Sequence, residues 1–122
     1  KGKRSGAFCI EVSSKLPTYI LLNYGNTLEE VTTLAHEMGH GINNELMRLK
    51  QSELNFGVPT STAEVASIFM EDFILEEVLK TADDDTKLAI MRTINPPPSE
   101  RIPAFDFFHT FLNQFRLGIS RI

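Results

Sequence analysis

Two histidines stand four positions apart in a segment with the periodicity of one long amphipathic helix. The stretch TLAHEMGHGIN places Glu37 directly after His36 and puts His40 one helical turn further along. Apolar residues at intervals of three and four surround them, namely Leu28, Val31, Leu34, Ala35, Met38, Ile42, Leu46 and Leu49. This spacing predicts a helix from about Leu28 to Lys50, with both imidazoles on one face.

The His-Glu-x-x-His spacing suits a metal ion. Residues four apart on a helix have Cβ atoms about 5–6 Å apart, so His36 and His40 can both reach one zinc ion at about 2.0–2.1 Å. Glu37 is rotated about 100° from His36, where its carboxylate can take a proton from a water molecule that the metal activates. The alternative is that both histidines are half-buried residues bonded to neighbours and that Glu37 is a solvated helix residue.

A third ligand has to come from elsewhere in the chain. The metzincin pattern requires Gly and His at positions 43 and 46, which are Asn43 and Leu46 here, so that branch is excluded. Glu64 is a candidate because it stands at the start of an apolar helix, where a buried charge is costly. Alternatively, Ser61 to Glu64 form a capping box. Glu71 lies two turns after Glu64, on nearly the same helix face. It either accepts a hydrogen bond from the second ring nitrogen of a ligand histidine or is a surface glutamate.

Local residues indicate where the first long helix begins and where a neighbour can approach it closely. Thr27 and Glu30 have the spacing of a capping box, which places the helix start near Leu28. Gly39 and Gly41 inside the helix each cost up to about 1 kcal/mol relative to alanine. Because a glycine lacks a side chain, we expect another element or a ligand to approach the backbone at these positions.

The remaining pattern predicts a mainly α (α+β) fold. Residues 7–12 and 18–24 have the composition of two short strands, separated by the turn sequence SSKLP. The segment from 61 to about 81 is apolar on most faces and predicts a largely buried helix. Shorter helices are expected from 83–85 to about 94 and over 103–117. We therefore expect one domain, residues 1–122, with an N-terminal strand pair followed by about four helices.

Composition excludes several classes of protein. The chain has 122 residues and a net charge of −4, and KGKR is its only basic cluster, so we expect no nucleic-acid partner. No apolar run approaches the roughly 20 residues of a transmembrane helix, so we expect no membrane partner. Cys9 is the single cysteine, which fits a reducing cytoplasm. The absence of an initiating Met and of an apolar leader predicts a fragment of a longer protein without a signal peptide.

With these residues in place, the chain resembles part of the catalytic domain of the M3-family zinc metallopeptidases, in particular the oligoendopeptidase F branch. The resemblance rests on KGKRSGAF, YILLNY, TLAHEMGH and AEVASIFME, and on a His-Glu-x-Gly-His pattern followed by a distant Glu-x-x-Ser. It implies a zincin-like core in which His36, His40 and Glu64 bind one Zn²⁺ ion. It also implies that Glu37 is the general base for the hydrolysis of short peptides.

The same resemblance implies which residues face the substrate, and it covers only part of the chain. The strand around Ile20 and Leu22 is expected beside the cleft, where an extended peptide can add to its edge. Gly6 and Ala7 are expected on a substrate-facing loop. Residues 1–80 carry the motifs, whereas 81–122 match no part of the family and lack its His- and Tyr-rich region.

Three alternatives remain open at the level of sequence. In the first alternative, the chain is a catalytically inactive zinc-binding fragment. In the second, it is a zinc-free helical interaction module that forms a homo-oligomer through its Phe-rich C-terminal helix. That helix carries Phe105, Phe107, Phe108, Phe111 and Phe115. A third alternative is the angiotensin-converting-enzyme-like family of zinc peptidases, which shares the sequence His-Glu-Met-Gly-His.

Overall fold

The computed structural model describes residues 6–23 and 25–94, except for the side chain of residue 93. Two strands come first, followed by three α-helices and one 3-10 turn: β1 (Phe8–Ile10), β2 (Tyr19–Leu21), α1 (Leu28–Lys50), the 3-10 turn (Glu53–Asn55), α2 (Thr60–Thr81) and α3 (Asp84–Ile94). This confirms the prediction of a mainly helical fold with an N-terminal strand pair. The predicted helix over 103–117, with its Phe-rich surface, lies outside the described residues.

The chain divides into two compact units, one ending at Ile74 and the other beginning at Leu75. The first unit contains the strand pair, α1 and the first part of α2, and every candidate site residue belongs to it. The prediction of a single domain stays a prediction. Among the described residues, no helix is both long enough and apolar enough to cross a membrane.

The two strands form an antiparallel pair joined by the predicted turn. Their register pairs Phe8 with Leu21, Cys9 with Ile20, and Ile10 with Tyr19. The turn is closed by the Leu16 amide, which donates to the Ser13 carbonyl at 3.1 Å. Both strands are shorter than the predicted segments 7–12 and 18–24, because the turn begins at Ser13 and Pro17 has no amide hydrogen for a ladder.

Local sequence determines both ends of α1. The Thr27 hydroxyl accepts a hydrogen bond from the Glu30 amide at 3.3 Å, and Glu30 Oε2 accepts from the Thr27 amide at 3.0 Å, which completes the predicted capping box. The Thr27 amide, and after it the Gly25 amide, lower the pKa of Glu30 by donating to its carboxylate. At the other end, the Gln51 amide donates to the Met47 carbonyl at 2.7 Å. The predicted bounds of the helix are therefore confirmed.

The face of α1 that is buried differs from its apolar stripe. Ala35, Glu37, Gly39, Gly41, Asn44 and Met47 are buried, a set of mostly small or polar residues. Members of the apolar stripe are exposed, including Met38 at 41% and Leu46 at 56%. The strand pair and α2 pack against the small residues because these allow close backbone approach.

The other helices follow their predicted bounds but not their predicted burial. Helix α2 begins at Thr60, directly after Pro59, and α3 begins at Asp84 with the Asp83 carboxylate accepting from the Thr86 amide at 2.8 Å. The prediction that α2 is largely buried is wrong for the described structure. Only Ser67 and Leu75 are buried on it, and its other residues are partly or fully exposed.

Glu45 accepts a hydrogen bond from the residue before β2 and forms a salt bridge with Arg48 within α1, and these two interactions predict a pH effect. Its carboxylate accepts from the Thr18 amide at 2.8 Å and from Arg48 Nε at 2.8 Å. Arg48 is the largest cause, and the Thr18 amide the next, of a pKa lowered from 4.5 to about 2. Because the folded-state pKa is depressed, this contribution to stability is complete above about pH 4.5 and is lost as the pH falls toward about 2.

We therefore expect Glu45→Gln to make the free energy of unfolding less dependent on pH between about pH 4.5 and 2. Urea unfolding at a series of pH values measures the difference between the variant and the parent chain. Glu29→Gln removes an exposed carboxylate from the same helix and controls for the loss of one charge. Equal pH slopes for Glu45→Gln and the parent chain would contradict the expectation.

Candidate metal centre

Three side chains from α1 and α2 bring one ligand atom each to a common point. His36 Nε2 lies 3.1 Å from His40 Nε2, and Glu64 Oε2 lies 3.4 Å from the first and 3.8 Å from the second. The two histidines come from consecutive turns of α1, as their spacing predicts. Glu64 comes from the first turns of α2, on the side that faces α1.

The distances suit a small tetrahedral ion. Ligands about 2.1 Å from a tetrahedral zinc ion lie about 3.4 Å from one another, and the three observed separations scatter around that value. Two imidazole nitrogens and one carboxylate oxygen are also a ligand set of catalytic zinc sites, which leave the fourth position open. The chain's own residues therefore fit the metal that the resemblance implies.

The structure rules out the capping-box alternative for Glu64. A capping residue lies just outside its helix, but Ser61 is the second residue within α2. The carbonyl of Pro59 accepts from the amides of Thr62 and Ala63, at 2.9 and 3.1 Å. Since the helix has already begun at Ser61, Glu64 has no cap to complete, and its carboxylate is turned toward the histidines.

Glu71 orients the first histidine. Its Oε1 lies 2.5 Å from His36 Nδ1, and because a carboxylate only accepts hydrogen bonds, Nδ1 carries the proton. In the neutral ring Nε2 is then the unprotonated nitrogen, and this nitrogen faces His40 and Glu64. This hydrogen bond raises the pKa of His36, against the opposing effect of burial. The sequence analysis placed Glu71 next to a ligand imidazole, and the structure brings those two side chains together.

The sequence analysis missed Ser67 as a site residue. Its side chain is fully buried, and its hydroxyl lies 2.9 Å from Glu64 Oε2 and 3.0 Å from the Glu64 carbonyl. Glu64 Oε2 is the same oxygen that approaches both histidines, so the hydroxyl helps to fix its position. The signal was available, because Ser67 follows Glu64 by three residues and both belong to the Glu-x-x-Ser pattern.

Gly39 explains how α2 comes close enough to bring its carboxylates to the histidines. A Cβ atom at Gly39 would lie 2.4 Å from the Ala66 carbonyl oxygen and 2.6 Å from the Ser67 Cα. The glycine therefore lets the backbones of the two helices touch between His36 and His40. This confirms the prediction that another element approaches α1 at this position.

Glu37 is not among the three side chains whose ligand atoms converge. Its side chain is buried, with 8% of its surface exposed. The neighbouring Cys9 thiol has a pKa raised to about 11, first by burial, then by the charge of Glu37 and then by that of Glu11. Glu37 is therefore buried on α1, near enough to Cys9 of β1 for its charge to act on that thiol.

The predicted substrate residues lie on the strand pair and its flanks, outside the set of ligand atoms. Gly6 is exposed with φ of +104°, and its carbonyl accepts from Asn23 Nδ2 at 2.6 Å. The side chain of Ile20 packs on α1, since its Cδ1 atom would lie 3.0 Å from a Cβ at Gly41. Ala7 and Leu22 are partly exposed. The substrate roles of these four residues stay predictions.

A helix bearing His-Glu-x-x-His that faces a glutamate of a second helix is the arrangement of a zinc-peptidase-like protein. Residues 1–94 match the model of peptidase family M3. The chain belongs to this family. The predicted family is thereby confirmed in preference to the angiotensin-converting-enzyme-like alternative.

Individual relatives agree with this assignment. The chain is 38% identical over 84 residues to the chromosomal oligoendopeptidase F of Lactococcus lactis subsp. cremoris, covering 69% of this chain and 14% of that protein. It is 34% identical over 85 residues to oligopeptidase PepF of Bacillus subtilis, covering 70% of this chain and 12% of the relative. The chain therefore spans about one-seventh of the length of such relatives.

A solved structure shares the fold. The crystal structure of a candidate peptidase from Chlamydophila abortus superimposes with a TM-score of 0.68 and 34% sequence identity. The match covers 75% of this chain and 15% of the other chain. The strand pair and the helices described above thus correspond to a short section of a much longer protein.

Proposed function

We propose that this chain contributes the metal-binding core of a zinc-dependent endopeptidase that hydrolyses short peptides. The single observation that carries the proposal is the convergence of His36, His40 and Glu64 from two separate helices. Their ligand atoms lie within 4.8 Å of one another, with a ligand chemistry that suits one zinc ion. Membership of peptidase family M3 supports the reaction class.

Each residue has a separate task in this proposal. When bound, zinc supplies a Lewis acid that lowers the pKa of a bound water to about 7 and polarises a carbonyl. Glu37 accepts the proton of the attacking water and later returns it to the leaving amine. Glu71 holds the His36 ring in one tautomer and one orientation, and Ser67 fixes the Glu64 carboxylate.

Short peptides are the proposed substrates, and the strand pair is their proposed binding edge. The relatives named above are oligopeptidases and oligoendopeptidases by name, which favours oligopeptides over folded proteins. Ile20 and Leu22 would offer backbone groups to an extended peptide, while Gly6 and Ala7 would line its path. The proposed location is the cytoplasm, supported by the single cysteine.

A second candidate function is zinc binding without turnover. The match covers only about 14% of the relatives' length, so it includes the proposed metal ligands without most of the chain that those proteins contain. Positioning and oxyanion stabilisation each contribute several kcal/mol to catalysis. One equivalent of zinc without cleavage of any short peptide would favour this candidate.

Zinc affinity provides the test of the proposed function. We expect the chain to bind one equivalent of zinc and Glu64→Gln to weaken that affinity by about 100-fold, since a charged ligand becomes a neutral one. Competition with a chromophoric chelator measures the affinity, and elemental analysis gives the stoichiometry.

The matched control is Glu77→Gln, which removes an exposed glutamate from the same helix and should leave zinc binding unchanged. A parent chain that takes up no zinc would overturn the proposal. So would a Glu64→Gln variant that binds zinc as tightly as the parent chain.

A further inference from the structure

A polar hollow of about 230 Å³ opens directly beside the candidate metal centre. It lies between the end of β1, the middle of α1 and the start of α2, all within the first compact unit. The lining residues that matter for its chemistry are Cys9, Glu11, His40, Asn44, Thr60 and Glu64. Because two of the proposed zinc ligands form part of its wall, a peptide at the metal would place a neighbouring group in this hollow.

Glu11 supplies a fixed negative charge at the edge of the hollow. Its Oε2 accepts a hydrogen bond from Asn44 Nδ2 at 3.0 Å, and Asn44 is itself 95% buried, with 5% of its surface exposed. The buried amide therefore holds an exposed carboxylate in place. An ionised carboxylate can accept about four hydrogen bonds, so Glu11 keeps most of its capacity for a ligand.

Glu11 is the feature of the hollow that favours a cationic group, since the charge of Glu64 is directed toward the proposed zinc ion. No lysine or arginine is among its lining residues within the described structure. Burial, then the charge of Glu37 and then that of Glu11 raise the pKa of the Cys9 thiol to about 11, so the charge of Glu11 acts on this wall of the hollow. Glu64 is directed toward the histidines and is bonded to Ser67, so Glu11 is the lining carboxylate available to a substrate.

We propose that Glu11, held by Asn44, is a specificity-determining residue that receives a cationic group of the peptide next to the scissile bond. The group is the ammonium or guanidinium of a basic side chain, or the free amino terminus of the peptide. This inference rests on the proposed function, which makes a peptide the occupant of the neighbouring metal centre. Glu11 acts on binding and takes no part in the chemical step.

The test compares paired peptides that differ by one charge. Acetylated and amidated pentapeptides with Lys or Gln at the central position are titrated into the zinc-supplied Glu37→Gln chain, in which cleavage should not deplete them. NMR titration gives the dissociation constants, and the side-chain amide of Asn44 reports on the hollow. Because Glu11 is exposed, we expect the Lys peptide to bind about three- to tenfold more tightly than the Gln peptide.

Adding Glu11→Gln to this chain should reduce the preference to about one. Adding Glu29→Gln, an exposed position in the first turn of α1, should leave it unchanged. A second set compares Gln peptides that have a free amino terminus with the acetylated Gln peptides. Tighter binding of the free-amino peptides that depends on Glu11 identifies the amino terminus as the bound cation. Equal binding of charged and neutral peptides in both sets would overturn the inference, as would a preference that survives Glu11→Gln.

Zinc content, measured in the same samples, separates this test from that of the proposed function. Glu11 is not a proposed ligand, so Glu11→Gln should retain one equivalent of zinc. Loss of charge preference with normal zinc content supports the subsite. Normal zinc content with no charge preference in the starting chain overturns the subsite alone, and absence of zinc in every sample overturns the proposed function.

Discussion

Replacing Glu37 with Gln is expected to slow peptide hydrolysis by about 10²- to 10⁴-fold while zinc content stays the same. Gln has nearly the shape of Glu but cannot accept the proton of the attacking water. Shape matters here, because the Glu37 side chain is buried, with 8% of its surface exposed. The effect should therefore appear in the rate constant for cleavage and leave metal affinity and folding nearly unchanged.

The measurement combines cleavage of a quenched fluorescent peptide with zinc analysis of the same preparation. Glu29→Gln, one exposed carboxylate of the same helix, should keep the parent rate. A Glu37→Gln chain that cleaves at the parent rate would remove Glu37 from the mechanism. A parent chain that carries zinc and cleaves no peptide would instead support the non-catalytic candidate.

Local sequence was sufficient to predict α1 and its metal-binding pair. The capping box of Thr27 and Glu30 is completed within four residues, and the spacing of His36 and His40 follows from the helical period alone. These features need no tertiary contact to be predicted. For the same reason the start of α3 was predictable, since the Asp83 carboxylate caps its own helix.

The position of Glu64 could not be obtained from local sequence. Ser61 to Glu64 have the spacing of a capping box, and only the helix start at Thr60 excludes it. The carboxylate's approach to the histidines depends on how α2 packs on α1, which is a contact between residues far apart in the chain. Ser67 differs, because its spacing of three from Glu64 was visible in the sequence and only the direction of the Glu64 carboxylate required the structure.

Burial was the least predictable property of the helices. The apolar stripe of α1 predicts its helical state correctly, yet the described structure buries the small and polar residues instead. Periodicity identifies a helix from the spacing of its apolar residues, but which face is covered depends on the neighbouring elements. In α1 the strand pair and α2 pack where glycine and alanine permit close contact.

The two glycines of α1 provide the second large prediction. We expect Gly39→Ala to lower the free energy of unfolding by about 2–3 kcal/mol, although alanine is intrinsically favoured in helices by about 1 kcal/mol. The new methyl group would lie 2.4 Å from the carbonyl oxygen of Ala66 and 2.6 Å from the Cα of Ser67. Backbone atoms cannot rotate away as a side chain can, so α2 has to shift as a whole.

The same shift should weaken zinc binding, because α2 carries Glu64 and the Glu71 partner of His36. Gly41→Ala is the matched control in the same helix. Its new methyl group would lie 3.0 Å from Cδ1 of Ile20, the far end of a flexible side chain that can move aside. With the helical preference for alanine in its favour, this variant should be as stable as the parent chain or slightly more stable.

Urea unfolding and chelator competition on both variants measure the two effects together. The expected outcome is that Gly39→Ala loses stability and zinc affinity, whereas Gly41→Ala keeps both. Equal stability of the two variants would mean that α1 and α2 do not touch at Gly39. In that case the close approach of the two backbones at Gly39 would not be what brings Glu64 to the histidines.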